Sequence, residues 1–267
     1  MLRTRLLTAA IALPALWLII EYLWTPLFAG FIIVVAAVGL SEYGGMAFPT
    51  DRTARWAVLG FGLVVAASVL TGTLAWTGAA ISTAVIGGLV FALRRHADLT
   101  DAVDRVGLLL LGVLYVGFFI PHVALLREQP DGWRWVLFTV YTAMGSDSGG
   151  YFAGRAWGRR KLMPGVSPSK TVEGALGGLA GAVVVALVCR VVFFSMLGER
   201  ETMGVALGIG VLAQLGDLCE SALKRAFGAK DSGWIIPGHG GILDRLDSLL
   251  FPFVFAHYYH AVTVRGW

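Results

Sequence analysis

Residues 174–196 read GALGGLAGAVVVALVCRVVFFSM, an apolar run interrupted by a single charged side chain, Arg190. A helix needs about 20 mainly apolar residues to cross a hydrocarbon core about 30 Å thick. Lipid offers the backbone no hydrogen-bond partners, so a run of this kind satisfies its own amides as a helix. It lacks the alternation of period two that marks a membrane barrel strand. Eight further runs have the same character, at about 5–21, 25–41, 56–72, 74–93, 106–126, 134–152, 203–220 and 248–264. The sequence therefore predicts an all-α, polytopic helical membrane protein with about nine transmembrane helices. Gly174-x-x-Gly177 and Gly204-x-x-x-Gly208 are expected to mark close helix–helix contacts.

Composition agrees. Of 267 residues, 57% are hydrophobic and 14% charged, against roughly 25% charged in an ordinary soluble chain. Mean hydropathy is +0.75. The formal charge of +4 does not point to nucleic acid, because the basic residues sit in short loops between apolar runs, where they face anionic lipid. Cys189 and Cys219 form no paired pattern and no CxxC, which excludes a disulfide framework and a zinc site. The basic, apolar N-terminus lacks a small-x-small cleavage site and is read as an uncleaved first span.

Lysine and arginine distribution sets the orientation. With the N-terminus inside, sixteen of these residues fall on the cytoplasmic side, and four (Arg127, Arg134, Arg200 and Arg265) fall opposite. The chain is expected to lie in the cytoplasmic (inner) membrane with its N-terminus and both long polar loops, 153–173 and 221–247, in the cytoplasm. It divides into N-terminal spans over 1–130 and a C-terminal region over 131–267 that carries these loops.

Two acids interrupt apolar runs, Asp147 and Asp217. A charge within a span costs a few kcal/mol, so each needs a partner or a water-filled cavity. A buried ion pair between helices would also account for them. Ser221, Lys224 and Arg225 follow Asp217 at i+4, i+7 and i+8, on one face of a continuing helix. That face runs from carboxylate to cation, as a site for a metal-bound phosphate would, although a juxtamembrane basic patch has the same composition.

The stretch Lys230-Asp231-Ser232-Gly233-Trp234, followed by Pro237-Gly238-His239-Gly240-Gly241-Ile242-Leu243-Asp244-Arg245-Leu246-Asp247, cannot be regular helix at its glycines. Glycines let a phosphate approach backbone N–H groups. Asp244 and Asp247 lie one turn apart where the last helix begins; N-capping would explain one of them. A third cluster joins Asp147 to Ser167, Lys170 and Thr171, residues that bind phosphate or simply cap the next span. Neither a Walker loop nor a GxGxxG fingerprint is present. The acids supply hard oxygen ligands suited to Mg²⁺. With lysines and glycine-rich backbone on the nucleotide side of a membrane, they point to phosphoryl or nucleotidyl transfer onto a lipid.

Ser221-x-Leu223-Lys224-Arg225, then Lys230-Asp231, then Pro237-x-His239-Gly240-Gly241-x-x-Asp244-Arg245-x-Asp247 resembles the signature of the phosphatidate cytidylyltransferase (CDP-diacylglycerol synthase) family. Gln214-x-Gly216-Asp217 and Ser167-Pro168-x-Lys170-Thr171-x-Glu173-Gly174 extend the resemblance, which covers about 140–255. It implies the conversion of CTP and phosphatidate to CDP-diacylglycerol and pyrophosphate in phospholipid biosynthesis, with Mg²⁺, a place for a second cation, and a homodimer. It further implies that Asp217 and Asp244 are metal ligands, and that Asp231 and Asp247 support that centre or hold lysine and arginine side chains in place. Lys170, Lys224, Arg225, Lys230 and Arg245 would contact phosphates, Asp147 would line the cavity, and His239, Gly240 and Gly241 would shape the phosphate turn. The nearest alternative is a CTP-dependent lipid-alcohol kinase acting on polyprenol or phytol. A secondary transporter coupled through Asp147 and Asp217 would leave the loop motif unexplained.

Overall fold

The computed structural model describes residues 14–95, 99–234 and 240–265. The chain is helical, as expected. Helix α1 occupies 14–22 and is followed by α2 (Thr25–Ala47), α3 (Arg52–Leu70), α4 (Leu74–Arg95) and α5 (Leu99–Gly112). A π-helical stretch, Val113–Phe118, leads to α6 (His122–Arg127) and α7 (Gly132–Trp157). Strands β1 (Lys161–Met163) and β2 (Ser167–Thr171) precede α8 (Val172–Val192), α9 (Glu199–Ala226), the short α10 (Leu243–Leu246) and α11 (Leu250–Arg265).

Among the described residues, six segments are long and apolar enough to cross a membrane: Thr25–Ala47, Arg52–Leu70, Leu74–Arg94, Asp101–Arg127, Val172–Val192 and Glu199–Ala226. The sequence-derived count of about nine included three more. The run at 5–21 lies largely outside the described residues. Helix α7 is long enough at 26 residues but carries Arg134, Asp147 and Arg155. Helix α11 has 16 residues, about 24 Å at 1.5 Å per residue, short of the roughly 30 Å core.

The chain folds into two compact units, each discontinuous in sequence. One comprises residues 26–125 and 229–244. Here α3 packs on α4 and on the π-helical stretch, and α4 packs on α5. Asp51 caps α3 by accepting the N–H groups of Thr53 and Ala54, each at 3.1 Å. Gly117 lies flush against α3, where an added Cβ would sit 2.6 Å from the Gly62 carbonyl oxygen. The buried Tyr43 donates its hydroxyl to the Leu108 carbonyl at 2.9 Å.

The other unit comprises residues 1–25, 126–228 and 245–267. Its centre is the antiparallel pair α7–α8, joined along a seam of glycines. A Cβ on Gly149 would stand 2.4 Å from the Gly177 carbonyl oxygen, and one on Gly181 the same distance from that of Gly145. Small residues let two helix backbones meet in lipid, where packing rather than the hydrophobic effect drives association. Gly177 fulfils its expected role, with Ala153 against it. Of the second expected pair, Gly208 packs on the Phe255 ring, whereas Gly204 has nothing within 4 Å. Trp135, Phe138 and Phe194 close the far end of this unit, with the last two rings stacked at 4.3 Å.

The loop predicted over 153–173 is more ordered than its polarity suggests. Helix α7 runs on to Trp157, and β1 and β2 form an antiparallel hairpin with Lys161 opposite Thr171 and Met163 opposite Ser167. An isolated two-stranded hairpin is marginal in water. This one is tied to α8: the Glu173 carboxylate accepts the N–H groups of Arg159 and Arg160 at 2.9 and 3.1 Å.

Candidate active site

A cavity of about 410 Å³ opens between the C-terminal part of α7, β2, the start of α8 and α9. Asp147, Tyr151, Arg155, Lys170, Thr171, Gln214 and Asp217 contribute to its wall. Lys170, on the last turn of chain before the α8 cap, places its ammonium 2.6 Å from Asp217 Oδ2. Ser221, one turn after Asp217 on α9, donates to Oδ1 of the same carboxylate at 3.4 Å. Asp217 and Ser221, expected on one face of a helix, are therefore joined by Lys170, which the sequence grouped with Asp147 and which arrives already paired with an acid.

Asp147 accepts the Ser248 hydroxyl at 3.2 Å. Asp247, just before α11, is pushed up to about 7 by burial, by the negative charge of Asp217 and, to a smaller degree, by that of Asp147; its bond from the Ser248 N–H and the charge of Lys224 act the other way. Gly216 makes the approach possible, because a Cβ there would meet the Asp247 carbonyl oxygen at 2.3 Å. Asp147, Asp217 and Asp247 thus share one electrostatic neighbourhood, which favours a bound cation. Their oxygens suit a hard divalent ion such as Mg²⁺. Among the described residues, though, no three His, Cys, Asp or Glu side chains are grouped closely enough to form a metal cage.

The other expected residues divide by their surroundings. Thr171 is the N-cap of α8 and accepts the Gly174 N–H at 3.1 Å, so its hydroxyl serves the helix end. Ser167 sits at the opposite end of β2 and does not line the cavity. Lys224 is held by the buried Glu220 at 2.6 Å, an i,i+4 pair on α9. Arg225, Lys230, Asp231 and Arg245 are exposed. His239 lies outside the described residues.

Asp244 belongs to the first unit. Its Oδ2 accepts the Ser232 N–H at 2.8 Å, the Ser232 hydroxyl at 2.9 Å and the Gly241 N–H at 2.9 Å. Gly240 has φ +79, the left-handed region that glycine tolerates, and a Cβ there would collide with this carboxylate. Gly240 and Gly241, the described part of the predicted glycine turn, lie against the Asp244 carboxylate.

Several residues were assigned no role by the sequence. Arg155 entered only the orientation count, yet it lines the cavity and donates to the Tyr151 hydroxyl at 2.9 Å. Gln214 donates to Ser146 Oγ and to the Ala175 carbonyl at 3.3 and 3.0 Å, tying α9 to α7 and α8. Glu42 was passed over because the apolar run was ended at residue 41. Helix α2 continues to Ala47, and Glu42 is 7% exposed. The unbroken run through Tyr43 to Met46 was the available clue.

Comparison with known proteins adds to this geometry. Over 160 residues the chain is 41% identical to a protein of Bacillus subtilis (strain 168) named phosphatidate cytidylyltransferase, which covers 60% of each chain. It is 42% identical over 142 residues to proteins of the same name from Staphylococcus saprophyticus and Staphylococcus epidermidis, covering 53% of this chain and 54% of theirs. The matched stretch thus spans 54–60% of the length of these relatives. The model of the Cytidylyltransferase family matches residues 3–263. A match of that extent, on a chain with six helices long and apolar enough to cross a membrane among its described residues, shows that the protein is a multi-pass membrane member of the Cytidylyltransferase family.

Proposed function

We propose that this protein joins the CMP moiety of CTP to phosphatidate, forming CDP-diacylglycerol and releasing pyrophosphate. The observation that carries this reading is the Lys170–Asp217 pair, 2.6 Å apart on the wall of a cavity that also takes in Asp147 and Arg155. Relatives named phosphatidate cytidylyltransferase support the choice of substrates.

A phosphate monoester has a second pKa near 6, so phosphatidate is largely a dianion at neutral pH and needs little help from a general base. A phosphatidate oxygen attacks the α-phosphorus of CTP; the bond from that phosphorus to the bridging oxygen breaks, and pyrophosphate leaves. The obstacle is repulsion between two polyanions. Lys170 and Arg155 lower it from the cavity wall, and Arg225, Lys230 and Arg245 hold phosphate oxygens from the adjoining chain segments. Lys224 does the same insofar as Glu220 releases it. Asp217 and Asp244 would hold Mg²⁺, with Asp231 and Asp247 in support. The ion supplies charge neutralisation when bound. His239, Gly240 and Gly241 shape the turn before Asp244. No side chain becomes covalently attached to nucleotide.

The sixteen-to-four distribution of basic residues supports a cytoplasmic site, where CTP is found. We take the working form to be a homodimer, as the family resemblance implies. The test is purified protein in detergent with phosphatidate, Mg²⁺ and CTP labelled at the α- or γ-phosphate. The α-label should enter the lipid and the γ-label should leave in pyrophosphate. Entry of γ-label into a lipid alcohol would make the enzyme a kinase and overturn the reading.

A further inference from the structure

The turn that carries Asp244 is moored to a residue some 200 positions earlier in the chain. Glu42, buried on α2, accepts the Ile242 N–H on Oε1 at 2.9 Å and the Leu243 N–H on Oε2 at 3.0 Å. The Ser232 hydroxyl lies 3.2 Å from Glu42 Oε2 and 2.9 Å from Asp244 Oδ2, with one proton to give. The same hydroxyl oxygen accepts the Asp244 N–H at 3.3 Å. Two glycines bring the chain onto this carboxylate. A Cβ on Gly233 would lie 2.5 Å from Glu42 Oε1, and one on Gly241 would lie 2.6 Å from it. The groups that donate to Asp244, Ser232 and the Gly241 N–H, are thus part of the same segment that Glu42 holds.

We propose that Glu42 is a positioning residue for Asp244: its two carboxylate oxygens hold Ser232, Ile242 and Leu243 and thereby set the direction in which Asp244 presents its carboxyl group. The inference rests on the role of Asp244 proposed above. The chemistry calls for a carboxylate and not merely for a side chain of this size. Both oxygens of Glu42 receive N–H donors, so an amide in its place would turn its NH₂ against one of them. An anion here also competes with Asp244 for a single serine proton, which couples the two acids directly. Outer partners of this kind orient a ligand, and their loss typically costs about 10–100-fold in metal affinity or activity.

The experiment compares the full-length protein with Glu42→Gln, Asp244→Asn and the double variant in detergent. Four quantities are read: kcat, KM for each substrate, the Mg²⁺ concentration for half-maximal rate, and Mn²⁺ binding by electron paramagnetic resonance without substrates. Glu42→Gln should lower kcat by about 10–100-fold and raise the Mg²⁺ midpoint by about tenfold. The KM for phosphatidate should stay within about twofold, and Mn²⁺ should bind correspondingly more weakly. The double variant should be no worse than Asp244→Asn by more than about twofold, because residues acting through one another do not add. Multiplying losses, or a wild-type Mg²⁺ midpoint and wild-type Mn²⁺ binding in folded Glu42→Gln, overturn the inference and assign Glu42 to stability alone. If Glu42→Gln does not fold, Ser232→Ala must shift the Mg²⁺ midpoint and Mn²⁺ binding in the same direction, and wild-type values overturn the inference. Wild-type turnover and Mn²⁺ binding in Asp244→Asn would sink the assigned role of Asp244 and this inference with it. If the wild-type protein transfers no CMP, the functional reading fails, while the Mn²⁺ arm still decides the link between Glu42 and Asp244.

Discussion

The Lys170 ammonium and the Asp217 carboxylate stand 2.6 Å apart and join the end of β2 to α9 on the wall of the cavity. Each fixes the other on the wall of the cavity proposed to take the substrate phosphates. Asp217→Asn should therefore lower turnover at least about 100-fold, the scale of losing an important electrostatic stabiliser. Asp244→Asn should do the same. Mg²⁺ should raise the thermal midpoint of the wild-type protein in detergent, as any ligand of the folded state does, and the rise should vanish in Asp217→Asn. Folded variants with near-normal activity at saturating Mg²⁺ would remove these two acids from the site.

Lys224 poses a different question, because its partner Glu220 is 2% exposed. Removing one member of a buried pair typically costs about 3–5 kcal/mol. Lys224→Met should lower stability on that scale, and Glu220→Gln in the same chain should restore most of it. If Lys224 also contacts a phosphate, activity of the double variant stays low after stability returns. Full recovery of both in a thermal-shift and turnover comparison would make Lys224 a structural residue.

The glycine seam gives a prediction with an internal control. Gly149→Ala and Gly181→Ala push a methyl group into a facing carbonyl oxygen, and overpacking of this kind costs about 1–3 kcal/mol. Gly204→Ala meets open space and gains helix propensity of up to about 1 kcal/mol. Thermal unfolding in detergent should order the variants accordingly. Equal behaviour of Gly149→Ala and Gly204→Ala would contradict the close contact of α7 and α8.

Orientation can be read with one cysteine. Ser169 is exposed on β2, whereas Ser232 is buried and hydrogen-bonded, which disqualifies it as a probe. Ser169→Cys, in a background lacking Cys189 and Cys219, should resist impermeant thiol reagents in intact cells and react in inverted vesicles. Labelling from outside would invert the topology and separate the site from CTP.

Hydropathy sufficed for the helices, because a solvent that cannot hydrogen-bond leaves few ways to arrange a backbone. It placed α3, α4, α8 and α9 to within several residues of their observed ends. It failed for the hairpin, since β1 and β2 are short, polar and held by Glu173 rather than by any pattern of their own. The motif likewise named Asp217, Lys170 and Asp244 but not their partners. Lys224 looks like a solvated cation until Glu220 is seen beneath it. Glu42 belongs to no motif and gains its meaning only when the chain returns to it. A local pattern records which groups a segment carries, whereas tertiary structure decides which of them are already satisfied.

The mooring of the last turn to α2 has a consequence for how the protein is made. Ribosomes deliver Glu42 roughly 200 residues before Ile242 and Leu243. Throughout that interval a carboxylate rides in a newly inserted helix without the donors it will finally have, a costly state in a bilayer. Helix α2 thus receives the donors for its buried acid only from a segment made roughly 200 residues after it. Chains cut short before residue 229 retain their spans but lack those donors.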